Sequence, residues 1–289
     1  MYQVYWRLPL FIVGFFALER FGQRLLGGCV PTLHRVVAAL TQAEQREVGV
    51  RLVGCIHALV ASALAARVYL APDATISATA GGDPIFGFSP RAQLVFTFSC
   101  AFFVWDVIVC VRDRWGAGFL AHAVACVFCY AAGMQPFLHH IGCFFLCYEA
   151  STPLLHLRWF LRATRRRHSQ CYARASVAFG FVFGLVRIAF GLPISIAWWG
   201  RMVPLLRSDA GQARLAHHGI SPTIVAIYLV CNIVLNLLNL GWFAKTIQGA
   251  MKMSSPSSSS SSSAGAAVST AKVTPRRSAR IRGAAANAR

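Results

Sequence analysis

Seven long apolar segments, separated by short charged stretches, decide what kind of structure this chain can form. A membrane-spanning α-helix needs about 20 mostly apolar residues, and every backbone polar group in lipid must be hydrogen-bonded within the fold. We therefore predict an all-α, polytopic transmembrane helix bundle of about seven spans. Six spans, with the first segment lying at the membrane interface, is the alternative count. The segments fall near residues 3–18, 51–71, 92–111, 117–135, 137–161, 175–206 and 222–243.

The composition of the chain agrees with lipid as its main solvent. Hydrophobic residues make up 56% of the 289 residues, charged residues only 13%, and the mean hydropathy is +0.55. A soluble globule of this size would need more polar surface. Most of the 10 cysteines lie inside apolar segments, where cysteine acts as a small hydrophobe, so we expect neither disulfides nor a metal site. We also expect no cofactor.

The sixth apolar segment is too long for one simple span. It contains Pro193, which interrupts the hydrogen-bond pattern of a helix. We predict a single kinked or tilted helix here, rather than two spans.

Basic residues are distributed unevenly between the two sides that seven spans would define. The net charge is +19, and 20 Lys and Arg residues fall on the side of the C-terminus against 6 on the other side. Cytoplasmic loops are enriched in Lys and Arg, so this distribution predicts a C-terminus in the cytosol and an N-terminus on the opposite side. Because the charges lie between apolar segments, we expect no nucleic-acid partner.

The last segment of the chain, 251–289, differs from the rest in composition. It contains nearly continuous serine at 254–263, followed by a basic stretch at 275–282. Such a segment cannot bury enough apolar surface to fold, so we predict a disordered, Ser-rich, basic cytosolic tail. Its expected partners are anionic lipid headgroups.

Polar side chains inside the apolar segments are the candidate functional residues. An ionisable group in hydrocarbon costs roughly 2.5–3.5 kcal/mol, so such groups usually face a bundle interior or a wet cavity. They recur at similar depth in the half of the bundle nearer the cytosol, which predicts an intramembrane polar cavity open on that side. The predicted cavity residues are His57, Asp106, His122, Glu149, Thr152, His156, Arg187, Asn236 and Asn239.

Glu149 is the leading candidate among these residues. It shares one helix face with His156, two turns further on, and Pro153 cannot donate a hydrogen bond to the Glu149 carbonyl. We therefore expect a free backbone acceptor beside an acid, which is a common way to build a membrane site. The structural alternative is that polar residues only join helices. The pairs would be His57 with Asp106, Glu149 with Arg187, and Asn236 with Asn239.

Three further ionisable residues lie near the ends of the fifth segment. Arg158 stands beside Trp159, and we interpret it as an anchor whose long side chain reaches the membrane interface. His139 and His140 lie at the other end of the segment and are interpreted as interfacial residues.

The stretch 148–161 resembles a motif of the TLC domain family. It reads Tyr-Glu-Ala-Ser-Thr-Pro-Leu-Leu-His-Leu-Arg-Trp-Phe-Leu, where the transmembrane branch of the family has Glu-x-Ser-Thr-Pro-Phe-x-Asn-x-Arg-Trp. The resemblance covers about residues 45–250. It implies a first span and cytosolic loop at 1–44, a TLC-like transmembrane domain at 45–250, and the tail at 251–289. Further matches are Arg51 with Ile56-His57-Ala58, Phe103-Val104-Trp105-Asp106, Leu185-Val186-Arg187, and Asn236 to Trp242-Phe243.

The sequence departs from the pattern of the family at two positions. The family's paired histidines in the fourth span correspond here to Leu120-Ala121-His122-Ala123, with one histidine, and His156 stands where Asn is usual. The ceramide synthases, the branch with established enzymology, have a paired-His segment followed by a His-Asp-x-x-Asp segment, and this chain lacks both in that form. The resemblance implies a multi-pass membrane protein of the endoplasmic reticulum that handles lipid, with its N-terminus in the lumen.

Three functions are open on the sequence alone. The first is binding or handling of acyl or sphingoid chains in the polar cavity, with membrane lipids as partners and an effect on lipid homeostasis. The second is an acyl-CoA-dependent N-acyltransferase of ceramide-synthase type, in which His122 is the general base and Glu149 or Asp106 orients it. The third is a membrane receptor or chaperone for other proteins.

Overall fold

The structure is a computed structural model, and it describes residues 6–29 and 31–254. This part of the chain contains eleven α-helices and no strand. Most of the predicted tail lies outside the described residues, and α11 extends past the predicted tail boundary at 251. The helices are α1 (Arg7–Cys29), α2 (Pro31–Ala38), α3 (Gln42–Leu70), α4 (Pro90–Arg112), α5 (Ala117–Ala132), α6 (His139–Leu146), α7 (Thr152–Ala163), α8 (Gln170–Phe183), α9 (Gly191–Arg207), α10 (Asp209–His217) and α11 (Pro222–Ser254).

The helices form seven rods in the order of the seven apolar segments. Four stretches are long and apolar enough to cross a membrane, namely α3, α4, the continuous run Gln170–Arg207 and most of α11, while α5 is a shorter apolar helix. A 3-10 turn at Cys147–Ser151 joins α6 to α7 as one rod. The rod α1 is long enough but carries Glu19, Arg20 and Arg24 in its second half. The prediction of an all-α membrane helix bundle is confirmed.

Several helices begin at a residue whose side chain caps the first turn. Thr41 and Glu44 form a capping box at the start of α3, with each side chain bonded to the other residue's backbone N–H. The Ser89 hydroxyl accepts a hydrogen bond from the first turn of α4, and Pro90 follows at a position where its missing N–H costs nothing. Ser169 caps α8 in the same way. These caps fix where the rods start.

The first helix packs along α4 as a full member of the bundle. Phe11 contacts Phe98 with ring centroids 5.4 Å apart, and two turns further on Glu19 accepts a 3.0 Å hydrogen bond from Trp105 Nε1. The contacts advance in the same direction along both helices, so α1 runs parallel to α4.

The two ends of the bundle are named here by one residue each. The Arg51 end is where α3 begins and α4 ends, and the Asp83 end carries the loop 71–89. Because α1 is parallel to α4, it starts at the Asp83 end. Trp242, in the later part of α11, stacks on Phe119 in the first turn of α5 with centroids 5.5 Å apart, so α11 finishes at the Arg51 end. The first and last rods therefore start and finish at opposite ends of the bundle.

The sixth segment is one continuous helical run, but its irregularity precedes Pro193. Residues Gly184–Ala189 form a π-helical turn between α8 and α9, closed by a 3.0 Å hydrogen bond from the Phe190 N–H to the Leu185 carbonyl. Pro193 has no N–H to bond the carbonyl of Ala189, so the regular ladder is interrupted there. Turns of this kind are frequent at functional sites, and this one carries Arg187.

Candidate functional site

Two cavities lie end to end along the axis of the described bundle. The space between the lining atoms, including the part open to solvent, is about 810 Å³ in the Asp83-side cavity and about 1050 Å³ in the Arg51-side cavity. Along α11, for example, Asn232 to Asn239 line the first cavity, whereas Trp242 and Thr246 line the second. Four residues line both cavities and are called the junction. They are Phe103, His122, Glu149 and Arg187.

A buried ion pair occupies the junction. Arg187 Nη2 lies 3.4 Å from Glu149 Oε1, and the two side chains are only 6% and 9% exposed. Arg187 also donates to Asn239 Oδ1 at 2.9 Å and to the Tyr148 carbonyl at 3.0 Å. Thr152 donates its hydroxyl proton to the other carboxylate oxygen at 2.9 Å. These bonds compensate most of the cost of burying both charges.

The backbone carbonyl of Glu149 is not free, so the expectation based on Pro153 is wrong. The chain tightens into a 3-10 turn at Cys147–Ser151, and the Thr152 N–H donates to the Glu149 carbonyl. A 3-10 turn bonds three residues ahead rather than four, so the missing donor of Pro153 leaves no unpaired oxygen here. The same tightening brings the Tyr148 carbonyl to the guanidinium of Arg187.

The His122 side chain lies at the junction without a carboxylate partner. Its ring centroid is 5.9 Å from that of Phe103 and 5.6 Å from that of Trp242. Its Nε2 lies 3.8 Å from Cys126 Sγ. Within residues 6–29 and 31–254, the imidazole ring makes no other hydrogen-bond contact. The acyl-transfer mechanism predicted from the sequence has Glu149 or Asp106 orient this imidazole, and neither acid bonds to the ring.

Asp106, Thr152 and His156 line the Arg51-side cavity. His156 Nδ1 lies 3.4 Å from Arg51 Nη1, and its Nε2 packs against Gly54, where a Cβ would be only 2.5 Å away. Glu149 and His156 thus line the same cavity, as expected for two residues on one helix face, although Glu149 lies in a 3-10 turn.

Arg51 is held at this cavity by aromatic rings and an acid. Its guanidinium lies 5.0 Å from the ring centroid of Trp115 and 5.3 Å from that of Trp159. Its Nη2 forms an ion pair with Glu47 at 2.6 Å. Arg51 was not predicted as a site residue, because a basic residue at the start of an apolar segment usually lies at the membrane interface.

The polar residues of α11 belong to two different groups. Asn239 accepts a hydrogen bond from Arg187 at the junction. The Asn236 amide instead donates to Ser195 Oγ at 3.1 Å and to Asn232 Oδ1 at 2.9 Å. Trp199 also donates to Asn232 at 3.0 Å, so this group ties α9 to α11. The expected pair of Asn236 with Asn239 does not form. Asn232 was missed, although its spacing of four from Asn236 places both on one helix face.

His57 lies away from both cavities. It is fully buried, its ring stacks on Phe102 with centroids 3.7 Å apart, and its Nε2 lies 3.2 Å from Ser99 Oγ. The expected pair of His57 with Asp106 does not form, because the ring faces α4 and α1 rather than the cavity. Of the nine predicted cavity residues, the structure places the other eight on the cavity walls.

Two residues of the fifth segment, Arg158 and His139, were predicted to lie at the membrane interface, but both form hydrogen bonds within the bundle. Arg158 lines the Arg51-side cavity, and its Nε donates to Ser176 Oγ on α8 at 3.0 Å. His139 is fully buried, with Nδ1 accepting a 2.9 Å hydrogen bond from the Ser89 N–H, so it is not exposed at an interface. No group of three or more His, Cys, Asp or Glu side chains that could hold a metal ion occurs among the described residues.

A helical membrane bundle with a buried ion pair between two internal cavities defines a class of protein, the polytopic membrane proteins with an internal polar site. The family comparison is more specific. Residues 47–248 match the TLC domain, so the chain belongs to the TLC domain family. The members of this family are generally membrane proteins linked to lipid metabolism or homeostasis.

The similar curated proteins carry the same domain name in most cases. The chain is 31% identical over 169 residues to an uncharacterized TLC domain-containing protein of Schizosaccharomyces pombe, covering 57% of this chain and 54% of that protein. It is 30% identical over 173 residues to topoisomerase I damage affected protein 4 of Saccharomyces cerevisiae, covering 57% and 58%. It is 25% identical over 211 residues to TLC domain-containing protein 4-B of Danio rerio, covering 70% and 73%.

The chain thus spans little more than half the length of the first two relatives. No solved structure matches it.

Proposed function

We propose that this protein binds a lipid inside its helix bundle, with the acyl or sphingoid chain in the Asp83-side cavity and the polar group near the junction. The observation that carries this proposal is the end-to-end arrangement of two cavities at the Glu149–Arg187 pair. One continuous path through the bundle would then offer apolar walls at one end and charged groups at the other. Binding of this kind would affect membrane lipid homeostasis.

The lining of the cavities supports an amphipathic ligand. Small-molecule sites usually combine apolar walls with a few polar groups. Away from the junction, the walls of the Asp83-side cavity include Phe96, Tyr130, Ile141, Leu146 and Leu235. The Arg51-side cavity is lined by the charged side chains of Arg51, Asp106 and Arg158, and both cavities share Glu149 and Arg187.

The location and orientation of the protein form part of the same proposal. Family membership and the apolar rods support a multi-pass protein of the endoplasmic reticulum. The 20 to 6 distribution of basic residues supports a cytosolic C-terminus and a lumenal N-terminus. The basic stretch at 275–282 would then lie beside the anionic cytosolic leaflet.

Lipid binding is favoured over N-acyl transfer for a geometric reason. The His122 imidazole contacts the Cys126 thiol and has no carboxylate bonded to it in the described chain, whereas a binding site needs only a matched cavity. Acyl-CoA as a partner therefore stays a prediction without a specific contact. The receptor or chaperone alternative likewise rests on basic loops alone.

A cavity-filling substitution tests the proposal. Leu235 lines the Asp83-side cavity, and Leu235→Trp would fill part of the space that a chain needs. We expect the purified protein to lose most of its copurified lipid, by about tenfold or more in occupancy, because a filled cavity cannot hold the same chain. Native mass spectrometry and lipid extraction measure the occupancy.

The matched control is Leu237→Trp. Leu237 lies on the same helix but is 63% exposed and lines neither cavity, so its substitution should leave lipid occupancy unchanged. Equal lipid occupancy in Leu235→Trp and in the unaltered protein would contradict binding in this cavity.

A further inference from the structure

Some charged residues that line the Arg51-side cavity have no ion-pair partner among the described residues. Its charged lining residues are Arg51, Asp106, Glu149, Arg158 and Arg187. Arg51 is paired with Glu47 and Arg187 with Glu149. Within residues 6–29 and 31–254, Asp106 and Arg158 have no ion-pair partner, and they are opposite in sign. The cavity wall therefore presents one carboxyl group and one guanidinium group without an ion-pair partner among these residues.

Asp106 lies where a bound cation would be stabilised. Its carboxyl group accepts no hydrogen bond from the described residues. The charged groups that act on it electrostatically are Glu149 and Arg51, and Arg51 is already paired with Glu47. Aromatic residues line the same cavity, including Trp115, Phe119 and Trp242. A carboxylate in a membrane interior is costly without a cation, and aromatic faces attract ammonium groups.

Arg158 lies where a bound anion would be stabilised. Its Nε donates to Ser176 Oγ, and its guanidinium carbon is 4.8 Å from the ring centroid of Phe179. Both terminal nitrogens make no hydrogen bond within the described chain, so they are available to an acceptor. A planar guanidinium with two free nitrogens matches the oxygens of a phosphate group.

One unsatisfied donor at the junction points to a ligand at the same place. Arg187 Nε is buried and has no hydrogen-bond partner among the described residues, and its side chain is only 6% exposed. Buried polar atoms normally have partners, and Arg187 lines both cavities. A polar linkage of a ligand that passes through the junction would supply the missing acceptor.

We propose that the Arg51-side cavity binds the headgroup of a zwitterionic lipid, with the ammonium group at Asp106 and the phosphate at Arg158. This inference rests on the proposed lipid binding and narrows the class of lipid. A phosphoethanolamine or phosphocholine headgroup satisfies both charges. Phosphatidic acid leaves Asp106 unpaired, a long-chain amine leaves Arg158 unpaired, and diacylglycerol satisfies neither.

A competition experiment on the full chain in detergent tests the headgroup class. The protein is loaded with a fluorescent phosphatidylethanolamine, which is then displaced by unlabelled phosphatidylethanolamine, phosphatidylcholine, phosphatidic acid, sphingosine or diacylglycerol of matched chain length. We expect the two zwitterionic lipids to compete about tenfold or more better than the other three, because each of those leaves a charge unpaired. Soluble glycerophosphoethanolamine, the headgroup without chains, should not compete at the same concentrations.

Two variants assign the charges to residues. Asp106→Asn should remove the discrimination against phosphatidic acid and keep that against sphingosine. Arg158→Gln should do the reverse. Matched controls are Asp113→Asn and Arg165→Gln, which change the same residue types outside the cavity and should preserve the full lipid preference.

The outcomes separate this inference from the proposed function. Equal competition by diacylglycerol and phosphatidylethanolamine would overturn the headgroup assignment while lipid binding stands. Failure of every lipid to displace the probe would overturn lipid binding as well. Competition by the soluble headgroup as strong as that of the lipid would overturn the need for a chain. The lipid series on the unaltered protein decides the headgroup class even if a variant fails to fold.

Discussion

Arg187 connects three parts of the bundle with one guanidinium group. It bonds Asn239 on α11 and both Tyr148 and Glu149 on the 3-10 turn, while it sits itself on the π-helical turn. A charge at this depth is tolerated only with its partners in place, since the loss of one partner leaves the other buried and uncompensated. The junction is therefore both a binding feature and a structural one.

Removal of the buried cation should destabilise the protein much more than removal of a surface cation. Arg187→Gln should lower the free energy of unfolding by about 3–5 kcal/mol, because Glu149 is left as an unpaired buried charge. Arg165→Gln breaks a pair whose arginine is 80% exposed and should cost less than about 1 kcal/mol. Thermal unfolding in detergent, followed by size-exclusion chromatography, compares the two.

A double variant shows whether the uncompensated charge is the cause. Glu149→Gln combined with Arg187→Gln should be less destabilised than the sum of the two single variants, because no charge is then left unpaired. Fully additive losses would contradict an energetic coupling between the two side chains.

Residue depth was predictable from the sequence, but the direction of each side chain was not. The apolar segments predicted how far along the bundle axis Glu149, His122 and Asp106 lie, and these side chains do line the Arg51-side cavity. They also gave the level of His57, yet this ring turns toward Phe102. The rotation of a helix about its axis depends on its packing partners, which hydropathy does not specify.

The loop 71–89, at the Asp83 end, is held together by hydrogen bonds and an ion pair. Asp83 accepts hydrogen bonds from the N–H groups of Ile85 and Phe86 at 2.9 and 3.2 Å, and it pairs with Arg214 on α10. A Cβ at Gly82 would lie 2.1 Å from a carbonyl oxygen of the same loop, so only glycine fits there. A hydrogen bond from the Leu138 N–H to the Ile85 carbonyl joins the loop to Leu138, which lines the Asp83-side cavity.

The loop should open as the pH falls. Partial burial raises the pKa of the Asp83 carboxyl, but the two backbone N–H groups and Arg214 outweigh this effect and hold the pKa below its ordinary value. A carboxyl with a lowered folded-state pKa stabilises the structure above its ordinary pKa, and the contribution is lost as the pH falls through the folded pKa. Amide hydrogen exchange of residues 71–89 should accelerate, after correction for intrinsic rates, between about pH 5 and pH 3.

A substitution assigns this pH response to its carboxyl group. Asp83→Asn should remove much of the response and leave a remainder from Asp73, whose pKa is lowered mainly by its hydrogen bond from Arg91. Corrected exchange rates that stay constant down to pH 3 in the unaltered protein would contradict a role for either carboxyl.

The regular elements follow from the sequence more directly than the irregular ones. The apolar segments predict the rods but not all of their starting points, since α3 begins at Gln42, before the predicted segment at 51–71. The 3-10 turn at Cys147–Ser151 and the π-helical turn at Gly184–Ala189 were not predicted, although a proline follows each. Proline indicates where a ladder is interrupted, but whether the chain tightens or widens there depends on tertiary contacts.

The arrangement of the rods places the two groups of basic residues at opposite ends of the bundle. Arg7 lies at the start of α1, Arg91 pairs with Asp73 and Arg214 with Asp83, so the sparsely basic group lies at the Asp83 end. Arg112 and Arg165 belong to the opposite end. Because basic residues favour the cytosolic side, the Arg51 end should face the cytosol.

This orientation makes a prediction for the two termini. In intact microsomes, an N-terminal extension with an Asn-x-Ser acceptor should be glycosylated, because the first rod starts at the Asp83 end, which should face the lumen. A C-terminal epitope tag should be digested by added protease, since α11 finishes at the Arg51 end. Glycosylation of both termini, or protection of the C-terminal tag until detergent is added, would contradict the orientation. The headgroup cavity would then open toward the lumen, and the lipid would have to enter from the other leaflet.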